Sequence, residues 1–308
     1  MSLHDLLYSK NGYSTKELAQ VFIGLPEGTR IPTVSELNER IGLARGTIQN
    51  ALKMLTEKGA VELYSRGAMG TFLKKKNMRQ LLDFAGIDSI VGAMPLPYSV
   101  RYEGLATGLI SGVENVYDLP VSLAYMRGAE CRISMVLAER YDFAIVSRMA
   151  AEQVIREKKL PLKIIKSFGP QSYLGAHVLL FHDKDRHEIQ DGMKVGIDRD
   201  SIDQMKLTKD VCKGHKVEFV PMNYNQITKA IKDGYIDAAV WNEDEIVDKM
   251  LNISYEVITS GNNQDREAVM VVSEENETIA SILEQMISST TVCDIQNLVV
   301  EGKMAPSY

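Results

Sequence analysis

GLARGTIQNALKML, residues 42–55, sets Ile48, Ala51, Leu52 and Leu55 at i, i+3, i+4 and i+7, the spacing of a helix with one buried face. The opposite face carries Gly46, Gln49, Asn50 and Lys53, and Arg45 stands at the leading end. Gly42 and Gly59 are stop signals on either side, so this helix is short. Upstream, Thr33 and Glu36 have the spacing of a capping box, which starts another short helix at Val34 with Leu37 and Ile41 facing inward. Two helices joined by a tight glycine turn make a helix-turn-helix. Leu18, Val21 and Phe22 predict a preceding helix over about 15–24. AVELYS and GTFLKK predict two short strands around RGAMG, a hairpin wing.

Charge divides the chain at about the same place. Through residue 80 there are 12 Lys and Arg against 7 Asp and Glu, a net of +5, and the remaining 23 against 34 give −11, which restores the overall −6. A basic N-terminal piece on an acidic body is the asymmetry of a protein in which one part meets phosphate. The expected domains are residues 1–76, a linker at 77–87, and a body over 88–308. With 308 residues, 45% of them hydrophobic and 25% charged, the chain has material for two or more cores. Cys131, Cys212 and Cys293 lie far apart and form no CxxC pair, so neither zinc nor a disulfide framework is indicated, and no cofactor is expected. No apolar run reaches the roughly 18 residues of a membrane span, and the start lacks a signal peptide's pattern. Met1-Ser2-Leu3 reads as a cloning remnant. A reducing, cytoplasmic setting with no membrane partner is expected.

The polar face of residues 45–53 suits a DNA major groove. Arginine can donate two hydrogen bonds to a guanine edge or clamp a phosphate, glutamine can read adenine, Thr47 can bond a phosphate, and Gly46 permits close backbone approach. The candidate DNA-binding set is Ser35, Arg45, Gly46, Thr47, Gln49, Asn50, Lys53, Arg66 and Gly70. The bland alternative is a solvated helix face, against which stand the second helix, the basic wing and the charge split.

LPEGTRIPTVSEL, then ARGTIQNALKMLTEKGAVEL, then the glycines around AMGTF, resemble the winged helix of GntR-type bacterial repressors over residues 15–75. The resemblance implies that Arg45 and Gly70 work at the DNA. It also has departures: Ser35 and Gln49 stand where that family usually has arginine, implying a weaker phosphate grip, and Ala44 replaces the usual serine cap.

The acidic body alternates strand and helix patterns, which predicts an α/β fold with a parallel sheet. DSIVGAMPLP is a strand broken by prolines, and the helix after Ser99 carries Gly104, Gly108 and Gly112 on one face, a row that predicts close packing against a sheet. LAERYDFAIVSR and IKDGYIDAAVWN, at 137–148 and 231–242, echo one another, so two similar lobes are expected, the second over about 183–250. KVGIDRDSID opens that second lobe. ISYEVITS and EAVMVVS read as strands returning to the first lobe, followed by a helix over about 277–288. This order resembles a type II periplasmic-binding-protein domain. MPLPYSVRYEGLATGL behind such a wing resembles the YhfZ-type regulator family.

Ligands of open α/β sheets sit at the carboxyl ends of strands. As the resemblance implies, the candidate ligand-binding set is Tyr98, Ser99, Arg101, Tyr102, Ser147, Arg148, Asp198, Ser201, Asn223, Tyr224, Trp241 and Asn242. The two arginines and the serines at helix starts suit an anion, a carboxylate or a phosphate. Each has a plainer reading: Arg101 and Arg148 paired with carboxylates, Trp241 in the core, Asp198 ordering its turn. His182 and His187 read as solvated rather than metal-binding. No GxSxG, P-loop, GxGxxG or HExxH motif is present, so no catalytic residue is assigned. The expectation is a non-enzymatic, homodimeric transcriptional regulator whose grip on operator DNA is set by a small effector bound between two lobes. A metabolite-processing enzyme on the same fold, or a DNA-binding protein whose body only oligomerises, are the alternatives.

Overall fold

The polar face quoted above belongs to α3, Arg45–Glu57, in a computed structural model that describes residues 10–249, 251–259 and 263–308. Met1-Ser2-Leu3 lies outside those residues. The chain forms two compact units: residues up to 90 with 113–120 and 277–286, and residues 91–112 with 121–276 and 287–308.

In the first unit, α1 (Lys10–Gly24) is followed by α2 (Val34–Ile41), whose start is a complete capping box: Thr33 Oγ1 accepts from the Glu36 amide and the Glu36 carboxylate accepts from the Thr33 amide. Gly42 ends α2 in the left-handed conformation at φ 74°, donating back to Asn38. Leu37 from α2 and Ile48, Ala51 and Leu55 from α3 are buried with Leu18, Ala19, Phe22 and Ile23 of α1. The wing is an antiparallel hairpin of β1 (Val61–Ser65) and β2 (Thr71–Lys76). At its far end the Lys76 ammonium bonds the Ile23 and Leu25 carbonyls at 2.7 and 3.0 Å, placing positive charge at the C-terminal end of α1.

Residues 77–87, expected as a linker, are mostly helix: α4 (Met78–Ala85) is capped by Asn77, ended by Gly86 at φ 72°, and buries Leu81, Leu82 and Ala85. The remaining helix of this unit comes from late in the chain. Glu277–Met286, α11 in chain order, packs on α1, with Gly24 so close to Ser281 that a Cβ there would lie 3.0 Å from its Oγ.

The second unit has two lobes. The first is built from β3 (Ile90–Met94), α5 (Val100–Tyr117), β4 (Val121–Tyr125), α6 (Ala129–Leu137), β5 (Phe143–Ser147), α7 (Arg148–Lys158) and β6 (Leu162–Ser167). Its sheet has the order β4-β3-β5-β12-β6, where β12 is Ala268–Ser273. The second lobe contains β7 (His177–Phe181), β8 (Lys194–Ile197), α8 (Ile202–Val211), β9 (Glu218–Pro221), α9 (Ile227–Lys232), β10 (Ala238–Asn242), α10 (Glu243–Asp248) and β11 (Ser254–Val257). Its sheet, β9-β8-β10-β7-β11, repeats the plan of the first. The echo between residues 137–148 and 231–242 is therefore the echo of β5 and β10, the central strand of each sheet.

Four expectations for the body are corrected. The sheets are mixed, not parallel: β12 runs antiparallel to β5 and β6, and β7 antiparallel to β10 and β11. The second lobe opens with β7, ahead of KVGID. β11 stays in the second lobe, paired with β7, and only β12 returns to the first. The glycine row of α5 meets a helix rather than a sheet, namely α12 (Ser289–Val300), with Cβ positions at Gly104 and Gly108 falling 2.9 and 2.6 Å from the backbone oxygens of Gln296 and Val292. Both faces of the second sheet are covered, since Leu179 and Phe181 enter one core cluster and Val178 and Leu180 the other.

Candidate nucleic-acid interface and interlobe cavity

The exposed face of α3 carries Arg45, Gly46, Gln49, Asn50 and Lys53, with Thr47 half-buried beside them and Ser35 half-buried on α2. Among the described residues no ion pair or side-chain hydrogen bond engages Arg45, Gln49 or Asn50, while Lys53 makes an exposed pair with Glu57 at 3.7 Å. Arg45, Gln49 and Asn50 can therefore meet a ligand without breaking an ion pair or side-chain hydrogen bond, and Lys53 at the cost of one exposed pair. On the wing, Arg66 lies over the Tyr64 and Phe72 rings at 5.0 and 4.7 Å, a cation–π arrangement that holds its guanidinium at the hairpin tip. Gly70 has φ 93° and ψ −165°, a region essentially closed to other residues, and a Cβ there would also come 3.2 Å from Arg30 Nε. Ala44, the N-cap of α3, supplies no side-chain bond.

In the second unit a cavity of about 90 Å³, opening to solvent, lies between the lobes. The first lobe contributes Tyr98, Tyr102, Arg127, Gly128 and Arg132 to its wall; the second contributes His177, Asp198, Ser201, Asp203, Tyr224, Asn242 and Glu245. Strand ends and helix starts converge because β3 and β4 on one side, and β8 and β10 on the other, all deliver their carboxyl ends there.

Six of the twelve residues expected at a ligand site line this cavity: Tyr98, Tyr102, Asp198, Ser201, Tyr224 and Asn242. The other six stand behind or beside it. Arg101 pairs with Asp244 at 3.1 Å, and Arg148 makes two 2.8 Å bonds to Glu267. Ser99 Oγ accepts from the Tyr102 amide, and Ser147 Oγ caps α7 by accepting from the Ala150 amide. Asn223 accepts from Arg127 at 2.7 Å. Trp241 is 3% exposed, its ring stacked at 3.7 Å against Tyr224, so it backs a wall residue from the core.

Six of the wall residues named above escaped the sequence reading. Arg132, 3% exposed, donates to the carbonyls of Ile145 and Met126 and to Tyr173 Oη. Arg127 crosses from the first lobe to Asp198, Asp200 and Asn223 of the second. Close to it, Gly128 at φ 78° lies against the Asp200 carbonyl, which a Cβ would approach to 2.8 Å. His177 Nδ1 pairs with Asp265 at 2.6 Å. Asp203 is 8% exposed, and burial raises its carboxyl from 3.8 to about 6, partly offset by a hydrogen bond from the Ser147 hydroxyl and by His177. Glu245 is also raised by burial, with Lys249 and the Tyr224 hydroxyl pulling the other way. Tyr102 and Tyr224 are raised well above the usual phenol range by burial, so both remain neutral hydroxyls. No cluster of three or more His, Cys, Asp or Glu able to hold a metal occurs among the described residues. Nor is any described helix long and apolar enough to cross a membrane.

Comparison with known proteins fits both halves of this description. A helix-turn-helix domain family matches residues 26–73. The HTH-type transcriptional regulator Rv1152 of Mycobacterium tuberculosis is 41% identical over 51 residues, 17% of this chain and 40% of that protein. The structure of the aliphatic sulphonate binding protein SsuA of Escherichia coli superimposes with a TM-score of 0.53 at 12% identity, over 70% of this chain and 74% of that one, a likeness of fold alone. A helix-turn-helix with a free polar face, joined to a two-lobed body of the periplasmic-binding-protein fold, defines a DNA-binding regulator. The family describing the YhfZ C-terminal domain matches residues 77–308. YhfZ of Escherichia coli strain K12 is 33% identical over 304 residues, covering 97% of this chain and 98% of that protein. The crystal structure of YhfZ from Shigella flexneri matches with a TM-score of 0.62 over 75% of this chain and 97% of that one, also at 33% identity. The chain belongs to the YhfZ family.

Proposed function

We propose that the chain is a cytoplasmic, homodimeric, non-enzymatic regulator of the GntR type, whose operator affinity is set by a small polar effector held between the two lobes. The observation that carries this reading is the cavity itself: Asp203 Oδ1 and Asn242 Nδ2 are buried in its wall with no hydrogen-bond partner among the described residues. Buried polar atoms in a native fold are nearly always satisfied, so an unpartnered pair on residues that line one cavity is what a polar ligand would complete. An anionic group on that ligand fits Arg132, whose observed bonds all go to neutral oxygens. Arg101 and Arg148 do not serve this purpose, being paired with Asp244 and Glu267.

On the DNA side, Arg45 leads the recognition helix and Gly46, Thr47, Gln49, Asn50 and Lys53 follow it, with Ser35, Arg66 and Gly70 alongside. One recognition helix contacts only a few base pairs, so a two-fold dimer on half-sites about one helical turn apart supplies the rest. Selection of bound duplexes from a random library by the full-length protein, followed by gel-shift titration at fixed salt, tests this. Arg45→Ala is expected to cost about 1–3 kcal/mol on the selected sequence. Unchanged affinity would remove α3 from the interface. Mass spectrometry of small molecules carried through purification, with the titration repeated in their presence, tests the effector arm.

A further inference from the structure

We propose that the cavity takes a small zwitterion of amino-acid size, with its ammonium group on Asp203 and its anionic group on Arg132 and the amino end of α6. This deepens the effector reading and rests on it.

Most of the charge in the cavity wall is already matched. Arg127 is engaged by Asp198, Asp200 and Asn223, and Asp198 also accepts from the Tyr224 amide at 2.9 Å. Glu245 accepts from the Tyr224 hydroxyl at 3.0 Å and from Lys249 at 2.8 Å. Two charges are left over, both more than nine-tenths buried. Arg132 spends three N–H groups on two carbonyls and a phenol, and among the described residues no carboxylate lies within ion-pair distance of it. Among the described residues, Asp203 has one oxygen with no partner and no cation within ion-pair distance. The two do not bond each other, although Arg132 and His177 lie near enough to favour the ionised Asp203 carboxyl.

A buried charge without its counter-charge is expensive, so the best occupant neutralises both. A simple anion would satisfy Arg132 and leave Asp203 facing more negative charge. A simple cation would do the reverse. A molecule with opposite charges a few atoms apart satisfies the two at once. The backbone agrees with this polarity: α6 begins at Gly128 and Ala129 in the cavity wall with no side-chain cap, so its first amides are offered to an anion. The amino end of α8 is already capped by Ser201. The unpartnered Asn242 amide adds a further donor on the second-lobe side. The groups facing Asp203 from the elements around it are Ser147, His177, Asp265, Arg132 and Tyr173.

The full-length protein is titrated by calorimetry and thermal shift with each of the twenty common L-amino acids. Each is compared with its N-acetyl derivative, which lacks the cation, and its carboxamide, which lacks the anion. A parallel panel holds simple carboxylates and phosphate esters. The expected result is binding by at least one amino acid, with each derivative weakened tenfold or more. Asp203→Asn is expected to lose at least tenfold for that amino acid but less than threefold for its N-acetyl form. Should that variant misfold, the derivative series on the unmodified protein still decides. An N-acetyl form that binds as tightly as its parent overturns the assignment of Asp203, and an equally tight carboxamide overturns that of Arg132. Binding by the carboxylate or phosphate panel alone overturns the zwitterion and leaves the effector reading standing. No response to either panel removes both.

Discussion

At the scale of single residues, Asp203 carries a cost in stability. Its carboxyl titrates at about 6 in the folded chain against an ordinary 3.8, so the folded state holds that proton more tightly than the unfolded state does. The associated stability is fully present below about pH 4 and is lost as pH rises through about 6. At roughly 1.4 kcal/mol per pH unit, the penalty at neutral pH is on the order of 3 kcal/mol. Asp203→Asn is therefore expected to raise the melting temperature at pH 7.5, with the gain shrinking toward pH 4.5. A variant no more stable than the parent at pH 7.5 would mean that this carboxylate is better solvated than its burial indicates. The site was only half legible at this scale, for a physical reason. Strand-end position pointed to Tyr98, Asp198, Tyr224 and Asn242, but whether an arginine there is free depends on carboxylates far away in sequence. Asp244 and Glu267 took Arg101 and Arg148 out of play. Arg132 and Asp203 did leave a signal: each sits at helical spacing from buried apolar residues, Ala129 and Val136 for the first and Leu207 for the second, which turns a charge inward.

Among the elements, α5 separates two effects of glycine. A Cβ at Gly108 would lie 2.6 Å from the Val292 carbonyl and 3.0 Å from its Cα, whereas one at Gly112 would rest at an ordinary 3.8 Å from a Val292 methyl. Alanine is the better helix former by about 1 kcal/mol at either position. Gly108→Ala is nonetheless expected to destabilise by about 1–3 kcal/mol, because backbone cannot yield as a side chain can. Gly112→Ala is expected to stabilise by up to about 1 kcal/mol. Chemical denaturation measures both, and equal signs would refute the packing account. In α3 the Thr47 amide already donates to the Ala44 carbonyl at 2.9 Å, and Ala44→Ser adds a side-chain acceptor at an N-cap that has none, which is expected to add about 1 kcal/mol. The same elements show why some boundaries could be read. The capping box of α2 and the glycine at 42 are local chemistry, complete within ten residues. β7 is a run of buried residues with no polar alternation to mark it, α12 is rich in β-branched residues, and the pairing of β11 is settled by β7, far back in the chain.

For the molecule as a whole, the first unit draws its helices from both halves of the sequence. The helix-turn-helix match ends at residue 73, yet α1 is also covered by α11, whose Ile279, Ala280, Ile282, Leu283 and Met286 are buried. A fragment of residues 1–88 is therefore expected to melt below the first transition of the full chain and to bind a hydrophobic dye, since one side of α1 is left uncovered. A fragment as stable as the intact protein would show that α11 is dispensable. The chain passes between its two units after residues 90, 112, 120, 276 and 286. That threading limits how such a protein can be recombined. A gene fusion made at residue 77 would transplant a helix-turn-helix without α4 and α11 and leave those two helices orphaned on the body, so a working chimera must exchange residues 78–90, 113–120 and α11 together with the N-terminus. Inheritance of the helix-turn-helix and the two-lobed body as separable cassettes, joined by a single crossover, is closed to this architecture.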